Sequence, residues 1–398
     1  MRKFWLLGSL GLFLLCACNS ASPTPLPASA TKPPTTATVP QNTSAPYGFP
    51  SPTIGSQDTQ GLASFPLSKA GPYLAGNVEY TFVDESRNDR EIEVTVWYPA
   101  LEQKDAYGRT TRRDAPPDTS GAPYPLILTE QNSGTSIFDS HLVSYGFVMV
   151  LIIIPDHSDY FNFDFQMVDW PRDFLFILDQ IASNPPEGLE GVIDSDHAGA
   201  TGYSYGGDIS LTLSGVRIDP EYYLAFCEQP PTIVANFGGA EWYHEFTCGL
   251  AEKWDEFAAR VGKGITASDD GLWQPVTDER IRVVMPMAPS GTWLYGERGL
   301  ASANRPVLMI AATEDQFSPY TEDTAFLFEH LGSPQKSLIS FIDKSHMMVL
   351  DYGVMAQMKH FATAFFGYHL QGREDYAEYF SEDFVAQFDD LAWGVYQE

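Results

Sequence analysis

His197-Ala198-Gly199-Ala200-Thr201-Gly202-Tyr203-Ser204-Tyr205-Gly206-Gly207 is the stretch on which the reading of the whole chain turns. Its small and apolar residues predict a short buried strand that breaks into a sharp turn and continues as a helix. Gly202-Tyr203-Ser204-Tyr205-Gly206 fits the pattern G-x-S-x-G. In that pattern the flanking glycines let strand and helix approach so closely that the serine is forced into a strained turn, with its hydroxyl exposed at the carboxyl edge of a sheet. Five residues with two fixed glycines arise readily by chance. What surrounds them gives the match its meaning.

A serine hydroxyl attacks poorly until an imidazole takes its proton, and the imidazole needs a carboxylate to fix its tautomer and stabilise its cation. Downstream, Pro306 to Ala311 is an apolar run of strand length that leads into Ala312-Thr313-Glu314-Asp315, which puts Asp315 at a strand's carboxyl end. Ser337 to Ile342 is the next such run, and Asp343-Lys344-Ser345-His346 follows it directly. Each residue has an ordinary alternative: Ser204 as a helix cap, Asp315 as a turn residue, His346 as one of eight histidines. The order serine, acid, histidine singles them out. Glu314 is the rival acid, but neighbouring residues at a strand end point to opposite sides, so only one can face the histidine, and Asp315 is the choice. His157 and His244 lie in other loops and read as substrate-side or surface residues.

Two backbone N–H groups must bind the oxygen that becomes negative during acyl transfer. One comes from the residue after the serine, Tyr205. The other is expected from Glu130-Gln131-Asn132-Ser133-Gly134, the loop after an earlier strand, with Asn132 as the choice. Neither a zinc spacing such as H-E-x-x-H, nor a Walker loop, nor a dinucleotide-binding glycine fingerprint occurs in the sequence. No cofactor and no metal are expected.

At the amino end, Met1-Arg2-Lys3 and the apolar run Phe4 to Leu15 make a charged head and a core too short to span a membrane. This is an export signal. Ala17 before Cys18 suits a lipobox cysteine, so residues 1–18 read as a bacterial lipoprotein signal, with ordinary cleavage nearby as the alternative. Residues 19–64 are rich in Ser, Thr and Pro and nearly uncharged, a composition that cannot offset the entropy of folding and makes a tether. Some forty such residues reach about 35 Å, enough to hold a domain clear of a membrane. The expected place is the outside of the cell membrane, with the lipid anchor as the one membrane contact. The formal charge of −29 repels phosphate backbones, which excludes nucleic acid as a partner.

Residues 65–398 are expected to form one mixed α/β domain. Asn77 to Val83 and Glu91 to Tyr98 alternate as an antiparallel opening hairpin, closed by Pro99. Pro125 to Thr129, the continuous run Val148 to Ile153, and Ile281 to Ala288 read as strands, the second buried on both faces. Pro171 suits a first helical turn, with Phe174, Leu178 and Ile181 on one face and Asn184-Pro185-Pro186 as the stop. Arg172 and Asp173 read as a surface ion pair or cap. A final helix repeats Met358, Phe361, Phe365 and Tyr368. Strands alternating with helices predict a mostly parallel central sheet flanked by helices.

Between the serine's helix and the Ile281 strand, residues 218–279 exceed what one crossover needs, which predicts an insertion over the serine. Cys227 and Cys248, the two cysteines beyond the signal, predict a disulfide in an exported domain, worth on the order of 3 kcal/mol by loop closure. Tyr222, Tyr223, Trp242, Tyr243, Trp254 and Trp273 stand there among carboxylates. They suit either a cationic ligand group or the insertion's own core.

Val96-Trp97-Tyr98-Pro99-Ala100, Arg113-Asp114-Ala115-Pro116-Pro117 before Pro123-Tyr124-Pro125, Tyr145-Gly146-Phe147-Val148, Gly202 to Gly207, Thr313-Glu314-Asp315 and Ser345-His346 together resemble the platelet-activating-factor acetylhydrolase and dienelactone-hydrolase-like group of α/β-hydrolases, over residues 75–370. Two positions depart from it: Tyr203 where the acetylhydrolases usually carry histidine, and Glu130-Gln131 in place of His-Gly. The dienelactone hydrolases use a cysteine nucleophile, so Ser204 points to the acetylhydrolase side. The resemblance implies an α/β-hydrolase fold with an inserted cap and a carboxylic-ester hydrolase working through an acyl-enzyme. Its substrate would be a small ester or a lipid, short-chain or phospholipid-like. The altered oxyanion loop keeps a second possibility open, a non-catalytic binding protein on the same scaffold.

Overall fold

The computed structural model describes residues 64–131, 138–153, 166–235 and 237–397. Its centre is a nine-stranded sheet. The opening hairpin is β1 (Leu74–Asp84) and β2 (Arg90–Ala100), paired antiparallel along their whole length. β2 runs through Pro99 rather than stopping before it. Its pairing on the far side ends at Trp97, so the imino nitrogen interrupts no ladder there. β3 (Tyr124–Glu130), α1 (Asp139–Ser144), β4 (Val148–Ile153), α2 (Gln166–Ser183), β5 (Ile193–Tyr203) and α3 (Tyr205–Leu213) follow. After the interval described below come β6 (Ile281–Met287), α7 (Thr292–Leu300), β7 (Val307–Ala312), α8 (Phe326–His330), β8 (Lys336–Phe341), α9 (Tyr352–Gln371) and β9 (Leu391–Trp393).

The strand order is β1-β2-β4-β3-β5-β6-β7-β8-β9. From β4 to β8 the six strands run parallel, and the antiparallel pairs are confined to the two margins. Side chains alternate across this sheet into two cores. Leu126, Leu128, Val148 and Val150 pack with Phe174 and Leu178 of α2, Leu211 of α3 and Trp293 of α7. Ile127, Met149, Leu151, Met285 and Met287 pack on the other side with Leu142 of α1 and with Met358, Phe361 and Phe365 of α9. A mixed α/β protein with a mostly parallel sheet flanked by helices is what the alternating pattern predicted.

Three local expectations change. α2 starts at Gln166, five residues before Pro171, because Met167, Val168 and Trp170 are buried against the core and outweigh one lost helical hydrogen bond. Asp173 is not at the surface: it is fully buried, bridged by Arg87 at 2.6 Å and by Arg90 at 2.7 Å. β9, formed by a tail with no long apolar run, adds a further strand beside β8.

The interval between α3 and β6 is helical. α4 (Pro220–Cys227) starts where Asp219 accepts the Tyr222 N–H, with Pro220 in the first turn. α5 (Gly239–Cys248) and α6 (Trp254–Val261) follow, and a disulfide joins Cys227 to Cys248 at the ends of α4 and α5. No helix among the described residues is long and apolar enough to cross a membrane.

Candidate active site

Because β5, β7 and β8 are parallel, the residues that follow them emerge at one edge of the sheet. Ser204 turns from β5 into α3 at φ 58° and ψ −118°, a left-handed conformation that costs a non-glycine residue about 1–3 kcal/mol. The glycines around it explain how the turn closes. A Cβ on Gly202 would stand 2.3 Å from the carbonyl carbon and oxygen of Gly206, and one on Gly207 would stand 2.5 Å from the Met287 carbonyl oxygen. A Cβ on Gly206 would overlap the carboxyl group of Glu130 at 2.0 Å. Ser204 N–H donates to the Met287 carbonyl at 2.9 Å, pinning the turn to β6.

His346 lies beyond β8 with Nε2 2.9 Å from Ser204 Oγ and Nδ1 2.7 Å from Asp315 Oδ2. A carboxylate can only accept, so the shared hydrogen sits on Nδ1 and Nε2 is left to accept the serine proton. Asp315 Oδ1 accepts the N–H groups of Phe317 and Ser318 at 2.9 and 3.0 Å, which fixes the carboxyl plane. Asp315 and His346 are buried, while Ser204 is half-buried. Glu314, the rival acid, is exposed and takes no part.

The histidine is held by its backbone as well. Its N–H donates to Gln316 Oε1 at 3.0 Å, and its carbonyl accepts the Tyr203 hydroxyl. Burial, and after it the charge of Asp315, raises the Tyr203 phenol well above its usual range, so it remains a donor. Tyr203 thus ties the residue before the serine to the histidine 143 positions away. Nothing in the sequence marks Tyr203 or Gln316 for this, beyond their adjacency to Ser204 and Asp315.

Compared with models of known protein families and with the sequences of curated proteins, the chain gives no match. The functional reading therefore stands on the site's geometry and on the motifs.

Tyr205 is the first residue of α3 and follows Ser204 directly. Asn132, His157 and Cys18 lie outside the described residues. Glu130, at the end of β3, is buried with its carboxyl group against Gly206. His244 is brought near the disulfide, its Nδ1 3.9 Å from Cys248 Sγ, and not to the serine.

Five of the six aromatic residues of the helical interval serve its packing. Tyr223, Tyr243 and Trp273 are buried, Trp254 packs on Tyr223 and Trp273, and Tyr222 lies along Phe226. Burying these large faces is how so short an excursion obtains a core. Trp242 alone of the six is placed beside Phe317, which packs on His346. Tyr243 reaches further, donating to Asp323 at 2.7 Å beneath the acid loop, where burial pushes the Asp323 carboxyl up to about 6.

Elsewhere Arg87, Arg90, Arg172 and Arg260 line a cavity of about 880 Å³ near the start of α2. Asp84, Asp169 and Asp173 pair with them, so the cluster carries little net charge for a ligand. Among the described residues no group of three His, Cys, Asp or Glu side chains is placed to hold a metal ion.

Proposed function

We propose that the protein is an exported serine esterase, held to the outside of the cell membrane by a lipid on Cys18, which passes the acyl group of a carboxylic ester to Ser204 and then to water. The observation that carries this reading is the unbroken run of hydrogen bonds from Asp315 through His346 to a serine in a strained turn. In the first step Ser204 Oγ attacks the ester carbon while its proton moves to His346 Nε2. The tetrahedral adduct then expels the alcohol, which takes that proton. Water repeats the sequence on the acyl-enzyme and returns the proton to Ser204. Tyr205 N–H is the proposed oxyanion donor from α3, and Asn132 the proposed second.

The finer reading is an α/β-hydrolase of the platelet-activating-factor acetylhydrolase type, acting on short-chain or phospholipid-like esters, with residues 218–279 as a cap. Its supports are the motif set, the disulfide that pins the interval, and the contacts from that interval to the acid loop: Phe237 N–H to the Gln316 carbonyl at 2.9 Å, and Tyr243 to Asp323. One observation favours the second reading, a binding protein on the same scaffold: the Glu130 carboxyl group lies against Gly206, where a negative charge would oppose an oxyanion.

A single experiment separates the two. Wild type should hydrolyse a chromogenic short-chain ester and be labelled by a fluorophosphonate, and Ser204→Ala should lose both while staying folded, with turnover down at least about a thousandfold. An unlabelled, inactive wild type would remove the esterase reading, and Ser204→Ala activity within about tenfold of wild type would remove Ser204 as nucleophile.

A further inference from the structure

We propose that Phe317, Phe237 and Trp242 form the wall that receives the alcohol half of the ester, and that the enzyme selects esters of apolar, planar alcohols. The inference rests on the esterase reading and adds to it which half of the substrate is selected, and by what.

The chemistry of the second step fixes the side. When the carbon–oxygen bond to the alcohol breaks, the departing oxygen takes the proton from His346 Nε2, so it must come within about 2.6–3.2 Å of that nitrogen. The carbon skeleton of the alcohol therefore begins beside the imidazole and must continue along whatever flanks it. The acyl half, bonded to Ser204 Oγ and turned toward the oxyanion donors, leaves in another direction.

Among the described residues, two aromatic rings flank the imidazole. Tyr203, at 5.4 Å between ring centres, is only 4 % exposed and closes the side toward the sheet. Phe317, at 5.0 Å and nearly perpendicular, is half-buried and closes the other. From Phe317 the apolar surface continues without a break. Phe237 is 5.0 Å from it, Trp242 is 5.1 Å from Phe237, and Phe246 stacks on Trp242 at 5.0 Å.

Phe237 is 46 % exposed and stands not alone but against Phe317 and Trp242. Its position is fixed: its N–H donates to the Gln316 carbonyl, in the same loop that carries Asp315 and Phe317. Phe237 is exposed and tied by its backbone to the Asp315 loop, and half-buried Trp242 and Phe317 continue from it to the imidazole as one apolar wall. Aromatic rings of this kind favour edge and face contacts with a flat ring.

The test uses three esters. Benzyl acetate carries a phenyl ring on the alcohol, ethyl phenylacetate carries it on the acyl group, and ethyl acetate carries none. Wild type, Phe237→Ala and Trp242→Ala are compared by ratios of kcat/KM, in which the intrinsic reactivity of each ester cancels between proteins. The benzyl acetate to ethyl acetate ratio should fall about tenfold in each variant, chiefly through KM, as expected for loss of an apolar contact. The ethyl phenylacetate to ethyl acetate ratio should stay within about twofold. An unmoved benzyl ratio in Phe237→Ala, or an equal fall in both ratios, overturns the assignment of this wall to the alcohol. Phe237 is exposed enough for its variant to fold, so it decides the matter even if Trp242→Ala does not. Active, fluorophosphonate-labelled wild type with unmoved ratios removes the wall alone, whereas wild type that neither hydrolyses these esters nor takes the label removes the esterase reading and the wall with it.

Discussion

Tyr203→Phe deletes one oxygen atom, and the structure states what that atom does: it donates to the backbone carbonyl of His346 from a side chain only 4 % exposed. The carbonyl left behind is buried with the histidine, and an acceptor stripped of its donor costs about 1–3 kcal/mol. Melting should fall by roughly 2–4 °C per kcal/mol, the scale for domains of 150–250 residues, or by less in a larger one. The catalytic effect should exceed what stability alone implies. Gln316 still holds the His346 N–H, but one of its two backbone anchors is gone, and displacement of a reacting group by about 1 Å can cost a hundredfold. We expect kcat for a chromogenic ester to drop about 10–100-fold with KM nearly unchanged, because Tyr203 lies beneath the imidazole and faces no substrate. The assay is steady-state kinetics alongside thermal melting. A variant that melts lower yet keeps kcat within twofold would show the bond to be purely structural. A raised KM with unchanged kcat would place Tyr203 on the substrate side.

Other variants have equally definite outcomes. Asp315→Asn should lower turnover by about four orders of magnitude through loss of the productive tautomer. Glu314→Gln should leave it near wild type, and the reverse pattern would overturn the choice of acid. Cys18→Ser should move the protein from the membrane fraction to the medium, and a mature chain beginning elsewhere than at a lipidated Cys18 refutes the anchor. Asp208, on α3, accepts the Ser290 N–H at 2.6 Å and is pushed up to about 8 by complete burial. Unfolded, it ionises near 4, so its contribution to stability is complete below about pH 4 and is lost as pH rises through about 8. Asp208→Asn should therefore gain on the wild type in urea midpoint between about pH 5 and pH 9, and a difference that does not change with pH contradicts the burial argument.

Much of this architecture was legible because its signals are local. A strand buried on both faces reads as an unbroken apolar run, as Val148 to Ile153 and Val307 to Ala312 do, and the close approach of backbone around Ser204 leaves room only for glycine at Gly202 and Gly207. The order of serine, acid and histidine was readable because each comes soon after a strand-length segment, of which the one before Asp315 is an unbroken apolar run. What stayed hidden depends on partners distant in the chain. Asp173 reads as a surface acid until Arg90, 83 residues earlier, folds onto it. Tyr203 reads only as a departure from the family's usual histidine until its hydroxyl meets the His346 carbonyl. The six aromatic residues of the helical interval carry the same composition whether they bind a ligand or pack on one another, and only their placement separates Trp242 from the other five.

The sheet order explains why the histidine needs anchoring at all. Neighbouring strands are about 4.8 Å apart, and β5 and β8 are three spacings apart, so the ends that deliver Ser204 and His346 are separated by about 14 Å. The 2.9 Å between Oγ and Nε2 is reached only because the segment after β8 turns back across β7 and β6. Beyond Phe341 this segment is held by single bonds, among them Glu314 N–H to the Lys344 carbonyl at 2.8 Å and Asp343 N–H to Thr313 Oγ1 at 2.9 Å. Its two backbone bonds at His346 come from the strands it crosses toward: Gln316 follows β7 and Tyr203 ends β5. Phe317, next to Gln316, covers the open flank of the ring. The position of the His346 imidazole is thus set by residues adjacent to Ser204 and Asp315, so that a disturbance at either the Ser204 turn or the Asp315 loop reaches the ring directly.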